Sequence, residues 1–158
     1  MRILAILGSA AFLTFPAHAE DAATRGAYLA RIMDCGGCHT PGAFTGKPNA
    51  DMELAGADVG FAVPGLGVFY PPNLTPDPET GLGEWSEAEI VAAIRTGARP
   101  DGRELVVMPW RSYAALSDED ANALAAYLKS MAPVANAVPQ PSGADEKAPG
   151  PYLAVMMP

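Results

Sequence analysis

Cys35-Gly36-Gly37-Cys38-His39 constrains this chain more than any other stretch, because it holds both cysteines and one of the two histidines. A structural disulfide would use the two thiols and leave His39 without a task. A thioredoxin-like redox pair belongs in a β-α-β setting, which the helical and loop patterns on either side do not offer. C-x-x-C-H is instead the attachment pattern of c-type haem: the thiols add to the vinyl groups of the porphyrin, and the adjacent imidazole ligates the iron. The expectation is one covalently attached haem c, held by Cys35, Cys38 and His39.

Ahead of the motif, Met1-Arg2 leads into an apolar run from Ile3 to Phe15, then Pro16-Ala17-His18-Ala19 and the acidic pair Glu20-Asp21. A positive start, a short apolar core and an A-x-A site read as a secretory signal peptide over residues 1–19, cleaved after Ala19. The run is shorter than the ~20 residues that span a bilayer, so the mature chain is expected to carry no transmembrane segment. Export to the periplasm would remove His18. That leaves three thiol or imidazole groups, one short of the four that zinc takes, and no second histidine for the iron. The net charge is −8, and loss of Arg2 makes the mature chain one unit more negative. An acidic surface of this kind argues against nucleic acid and anionic lipid and suits docking on proteins of complementary charge.

The mature chain has the length of one domain. Ala27, Tyr28, Leu29, Ile32 and Met33 recur at helical spacing, so Ala22 to Asp34 is predicted to be an amphipathic helix running into the motif, with Gly26 marking close approach by another backbone. Residues 40–72 are rich in Gly, Pro and Ala without sustained periodicity, which predicts loops wrapping a surface, with a short paired piece around Gly67–Tyr70. Turns continue from Asn73 to Gly83. Ser86-Glu87-Ala88-Glu89 has the form of a capping box, opening a helix with Ile90, Val91 and Ile94 on its apolar face, Trp85 anchoring its start and Gly97 ending it. Ser117-Asp118-Glu119-Asp120 opens a last helix whose stripe is Leu124, Tyr127, Leu128 and Met131. These elements assign residues 20–132 to one domain and 133–158 to an extended Pro/Gly-rich tail whose apolar end, Tyr152 to Met157, is placed to dock on the domain.

The sixth iron ligand must be a methionine or nothing. Met33 and Met131 fall on helical stripes, where packing is their expected role, whereas Met52, Met156 and Met157 lie in loops. Met108 sits on a non-helical strap between two helices, and Pro109 biases it to an extended conformation that projects the sulfur. A His39/Met108 pair would raise the reduction potential.

A helix entering Cys35-Gly36-Gly37-Cys38-His39, the Met108-Pro109 strap, and a final helix carrying Leu124 and Tyr127 together resemble a class I cytochrome c over nearly the whole mature chain. Asn73-Leu74-Thr75-Pro76-Asp77, Trp85-Ser86 and Arg95-Thr96-Gly97 through Gly102 are similar to cytochrome c subunits of bacterial periplasmic dehydrogenases of the alcohol and gluconate type. The resemblance implies a mainly α class I cytochrome c fold, with the terminal helices crossing near Gly26 and Tyr127 around a haem in an apolar crevice. It also implies His39 and Met108 as axial ligands, and Asn73 or Trp85 near the propionates. Expected partners are redox proteins: a periplasmic dehydrogenase and a terminal oxidase or another cytochrome. A single-electron carrier is the expected function, the alternative being a haem enzyme or gas sensor with an open sixth position. Arg95, Arg99, Arg103 and Arg111 bracket Met108 in an otherwise acidic chain, which suggests a locally basic rim that pairs propionates and steers partners.

Overall fold

The computed structural model describes residues 21–156; the segment read as a signal peptide, with His18, and Met157 lie outside them. In chain order the elements are α1 (Ala22–Ile32), α2 (Cys35–His39), β1 (Gly60–Val63), β2 (Gly67–Phe69), α3 (Glu87–Thr96), α4 (Trp110–Tyr113), α5 (Asp118–Ser130) and β3 (Tyr152–Leu153). Helices α1, α3 and α5 carry the core, in which Leu29, Leu54, Ile90, Leu124 and Leu128 are almost completely buried. No helix among the described residues is long and apolar enough to cross a membrane.

Helix α1 starts at Asp21, whose carboxylate accepts from the Thr24 amide at 3.0 Å, a side-chain cap for an otherwise orphan donor. Its direction is set by Gly26. A Cβ placed there would lie 2.0 Å from the Ala123 carbonyl oxygen and 2.6 Å from Tyr127 Cβ, so α1 and α5 cross backbone to backbone as expected. An ion pair between Arg25 and Asp120, 2.9 Å, flanks the crossing. That contact also corrects the apolar stripe: Tyr28 and Ile32 are 51% and 58% exposed, and the buried line is Gly26, Leu29 and Ala30. These residues stand three and four apart, on the face that Gly26 turns toward α5.

Both other long helices begin as the sequence predicts. Ser86 and Glu89 close a full capping box on α3, and Gly97 ends that helix in the left-handed region at φ 75°. Ser117 caps α5, accepting from the Asp120 amide at 3.1 Å. Near the end of α5, the Lys129 ammonium reaches across to the preceding turn and donates to the carbonyls of Leu82, Gly83 and Trp85 at 3.2, 2.8 and 2.9 Å. It thereby ties α5 to the chain that enters α3.

The loop region holds more pairing than the periodicity signalled. Strands β1 and β2 form an antiparallel hairpin with Phe61 opposite Phe69, and β3 adds to β1 in parallel. The tail does dock, through its backbone rather than its apolar end: Tyr152 and Leu153 stay about half exposed, and Val155 and Met156 are 82% and 86% exposed. Asn73, Thr75 and Asp77 are buried polar residues that fold the 73–83 turn. The Asp77 carboxylate accepts from the Thr80 amide and hydroxyl, both at 2.7 Å, and these bonds hold it below the usual carboxylate range.

Two predictions follow from this packing. In Gly26→Ala the helix-propensity gain of about 1 kcal/mol is outweighed by overpacking against a carbonyl; the net loss should be about 2 kcal/mol in denaturant unfolding, and equal or greater stability would contradict the crossing. Asp77 binds a proton less readily folded than unfolded. Its contribution is therefore complete above its unfolded pKa of about 4 and disappears as pH falls through the lowered folded value. Asp77→Asn should accordingly flatten the fall in melting temperature over that acidic window, and an unchanged slope would contradict it.

Candidate haem crevice

Helix α2 is separated from α1 by Asp34, whose backbone adopts the left-handed conformation at φ 55°. The turn folds the Asp34 carboxylate over the motif, and a Cβ at Gly37 would fall 2.3 Å from its Oδ2. A side chain at Gly37 would thus displace the Asp34 carboxylate, whereas Gly36 has room for one. The sulfurs of Cys35 and Cys38 are partly buried and not joined to each other. Burial pushes the Cys35 thiol up to about 11, with the Asp34 charge adding to the effect, and Cys38 is raised for the same two reasons.

His39 ends α2 and is buried. Its Nδ1 lies 2.8 Å from the Pro72 carbonyl oxygen. A carbonyl can only accept, so Nδ1 carries the hydrogen and Nε2 presents its lone pair. Burial lowers the pKa of the imidazole, opposed by the Pro72 bond; a neutral ring is what a metal ligand requires.

The strap that carries Met108 is fixed at both ends. Leu105 donates its amide to the Gly97 carbonyl at 2.8 Å, and the Trp110 indole donates to the Leu105 carbonyl at 3.1 Å. The Trp110 amide closes a tight turn onto the Met108 carbonyl at 2.8 Å. Gly97 leaves room for the indole, whose Nε1 would be 2.6 Å from a Cβ there. Tyr113, one helical turn on, donates its hydroxyl to the Met33 carbonyl at 3.2 Å, joining the strap to the end of α1.

Cys35, Cys38, His39 and Met108 all line one cavity of about 640 Å³, within the usual range for ligand pockets. Its other walls are largely apolar, with Phe61, Phe69, Leu82, Ile94 and Leu124 among them. Met33 lines it as well, whereas Met52, Met131 and Met156 do not. The donor set fits haem c: an apolar chamber, two thiols one helical turn apart, and an adjacent imidazole with Nε2 unengaged.

Three elements differ from, or add to, the sequence reading. The basic rim is half neutralised, with two carboxylates for four arginines, and Arg99 and Arg103 line the cavity. Arg99 and Arg103 both pair with Asp101, at 3.1 and 2.7 Å, and hold that carboxylate well below its usual range; Arg95 pairs with Asp118, and Arg111 stacks on Trp110. Asn73 and Trp85 do line the cavity, but both amide hydrogens of Asn73 are engaged internally, by Thr80 Oγ1 at 3.0 Å and the Val134 carbonyl at 2.7 Å. Sequence reasoning missed the Pro72 carbonyl and the tail residues 138–141, which also line the chamber. A backbone acceptor leaves no residue-type signal; Pro139 and Pro141 were visible only as marks of an extended chain.

The family described as cytochrome C oxidase, cbb3-type, subunit III matches residues 21–128. The chain is 36% identical over 141 residues to the alcohol dehydrogenase (quinone), cytochrome c subunit, of Gluconobacter oxydans, covering 85% of this chain and 27% of that one. It is 41% identical over 132 residues to the gluconate 2-dehydrogenase cytochrome c subunit of Pantoea cypripedii, covering 79% and 28%. A diheme cytochrome c-type protein of Cereibacter sphaeroides is 30% identical over 112 residues, covering 70% and 36%. The chain thus spans roughly a third or less of the length of these relatives. The matched span runs from α1 into the last turn of α5 and includes both cysteines, His39 and Met108, and this protein belongs to the cbb3-type cytochrome c family, whose fold implies covalently bound haem c.

Proposed function

We propose that this chain is a periplasmic c-type cytochrome that passes single electrons between a dehydrogenase and a downstream acceptor, with one haem joined to Cys35 and Cys38 and its iron held by His39 and Met108. The observation that carries this reading is the convergence of those four residues on one apolar cavity, with the imidazole already oriented by Pro72. Bound haem supplies a one-electron ferric/ferrous couple. The chain's part is to keep its own atoms still. Pro72 fixes the ring plane and tautomer of His39, while the bonds from Gly97 and Trp110 hold the Met108 strap, so that little moves when the charge at the centre changes.

One pair of thiols supports one haem per chain, although a similar protein from Cereibacter sphaeroides is named diheme. A dehydrogenase as electron donor is supported by relatives named as cytochrome c subunits of alcohol and gluconate dehydrogenases. The leader-like residues 1–19, with an apolar run and an A-x-A site, support export to the periplasm.

Between the two methionines on the cavity, Met108 is the better ligand. Met33 caps α1, its amide bonded to the Leu29 carbonyl at 2.9 Å, only two residues from Cys35 on the attachment side. Met108 comes from a separate segment outside any helix, held by the bonds from Gly97 and Trp110. The reduced protein should therefore bind carbon monoxide slowly or not at all, and Met108→Ala should bind it within the mixing time. Rapid binding by the reduced wild type would instead favour a haem enzyme or sensor with an open sixth position.

A further inference from the structure

The tail beyond α5 lies past the span matched to the family, yet the fold anchors it at several points. The Val134 carbonyl accepts from Asn73 Nδ2 at 2.7 Å, and the Val134 amide donates to Thr75 Oγ1 at 3.1 Å. Asn136 donates its backbone N–H to Thr80 Oγ1 at 3.0 Å and its side-chain amide to the Ala55 carbonyl at 2.8 Å. Further on, Ser142 and Val68 exchange a pair of backbone hydrogen bonds, 3.0 and 3.1 Å. Tyr70, itself on the cavity wall, accepts from the Gly150 amide at 3.0 Å and donates to its carbonyl at 2.8 Å.

Between the Asn136 and Ser142 anchors runs Val138-Pro139-Gln140-Pro141, and all four residues line the cavity. Two prolines restrict the unbound alternatives of this short span, so holding it in place costs little entropy. The domain leaves room for it: Gly56, at φ 97°, would with a Cβ approach Val138 Cγ1 to 2.4 Å. Its neighbours on the wall are Tyr70, Pro71 and Pro72, the segment whose carbonyl orients His39.

We infer that residues 134–142 form a strap that completes the haem crevice and excludes water from the wall beside Pro72 and His39, which makes Asn136 and Val138 positioning residues for the redox centre. The inference rests on the haem reading given above. A less hydrated crevice disfavours the ferric form, which carries one more positive charge than the ferrous, so the strap raises the reduction potential.

The test uses the full-length protein and two variants that loosen the strap differently. Asn136→Ala with Val138→Gly removes an anchor and an apolar wall residue, and Pro139→Gly with Pro141→Gly keeps the anchors but frees the span. Asp145→Ala, exposed and further along the tail, is the control. Potentiometric titration should show both strap variants shifted toward the oxidised form by about tenfold at fixed ambient potential, which is a fall of about 59 mV for a one-electron couple, with the control unchanged. In the wild type, hydrogen exchange at the Val134, Asn136 and Ser142 amides should be slowed as in secondary structure. One haem per chain with unshifted potentials, or exchange of those amides at free-peptide rates, would overturn the strap while leaving the haem reading intact. A wild type without covalent haem would overturn both.

Discussion

The hydrogen bond from His39 Nδ1 to the Pro72 carbonyl is the contact on which the rest of the site depends. It joins the short attachment helix to a loop segment 33 residues away, and it decides which ring nitrogen faces the cavity. The same loop segment continues into Asn73 and Thr75, whose buried side chains hold Val134. One carbonyl therefore links attachment helix, crevice wall and tail. Without it the imidazole could rotate or switch tautomer, and the geometry set by the two thiols would lose its second reference point.

A chamber of about 640 Å³ is large beside the side chains around it. Leu82, Ile94, Leu124 and Leu128 contribute to both the core and the cavity wall, so each gives up packing partners wherever the chamber is not filled by apolar atoms. A ligand that occupies this volume in the folded state alone stabilises the fold by linkage. Fold stability and cofactor attachment are then linked: the helices α1, α3 and α5 build a frame, and an apolar cofactor in the chamber would supply the contacts that side chains do not.

Much of this was legible from residue types. The motif announced the cofactor, Gly26 the helix crossing, Ser86 and Glu89 the start of α3, and the Met108-Pro109 strap a second element reaching the same cavity. The failures share a physical cause. Tyr28 and Ile32 fit a helical stripe by spacing, but the face of α1 that is buried follows from where Gly26 touches Ala123, a relation between helices. Arg99 and Arg103 do line the cavity, but charge counted along the chain could not show that both share Asp101. The tail was expected to dock by its apolar end, Tyr152 to Met157, whereas it docks by its backbone, because Pro139 and Pro141 suppress periodicity and pairing with Val68 leaves no trace in side-chain pattern.

The central claim is that the thiols of Cys35 and Cys38 carry haem while His39 stands beside them as a ligand. Intact-mass and peptide mass spectrometry of the protein isolated from cells that make c-type cytochromes tests this most directly. The account predicts the mass of the chain cleaved after Ala19 plus one haem, with the added mass on the peptide spanning Cys35 and Cys38 and absent when both are replaced by serine. Free thiols or a Cys35–Cys38 disulfide in the isolated protein would contradict it.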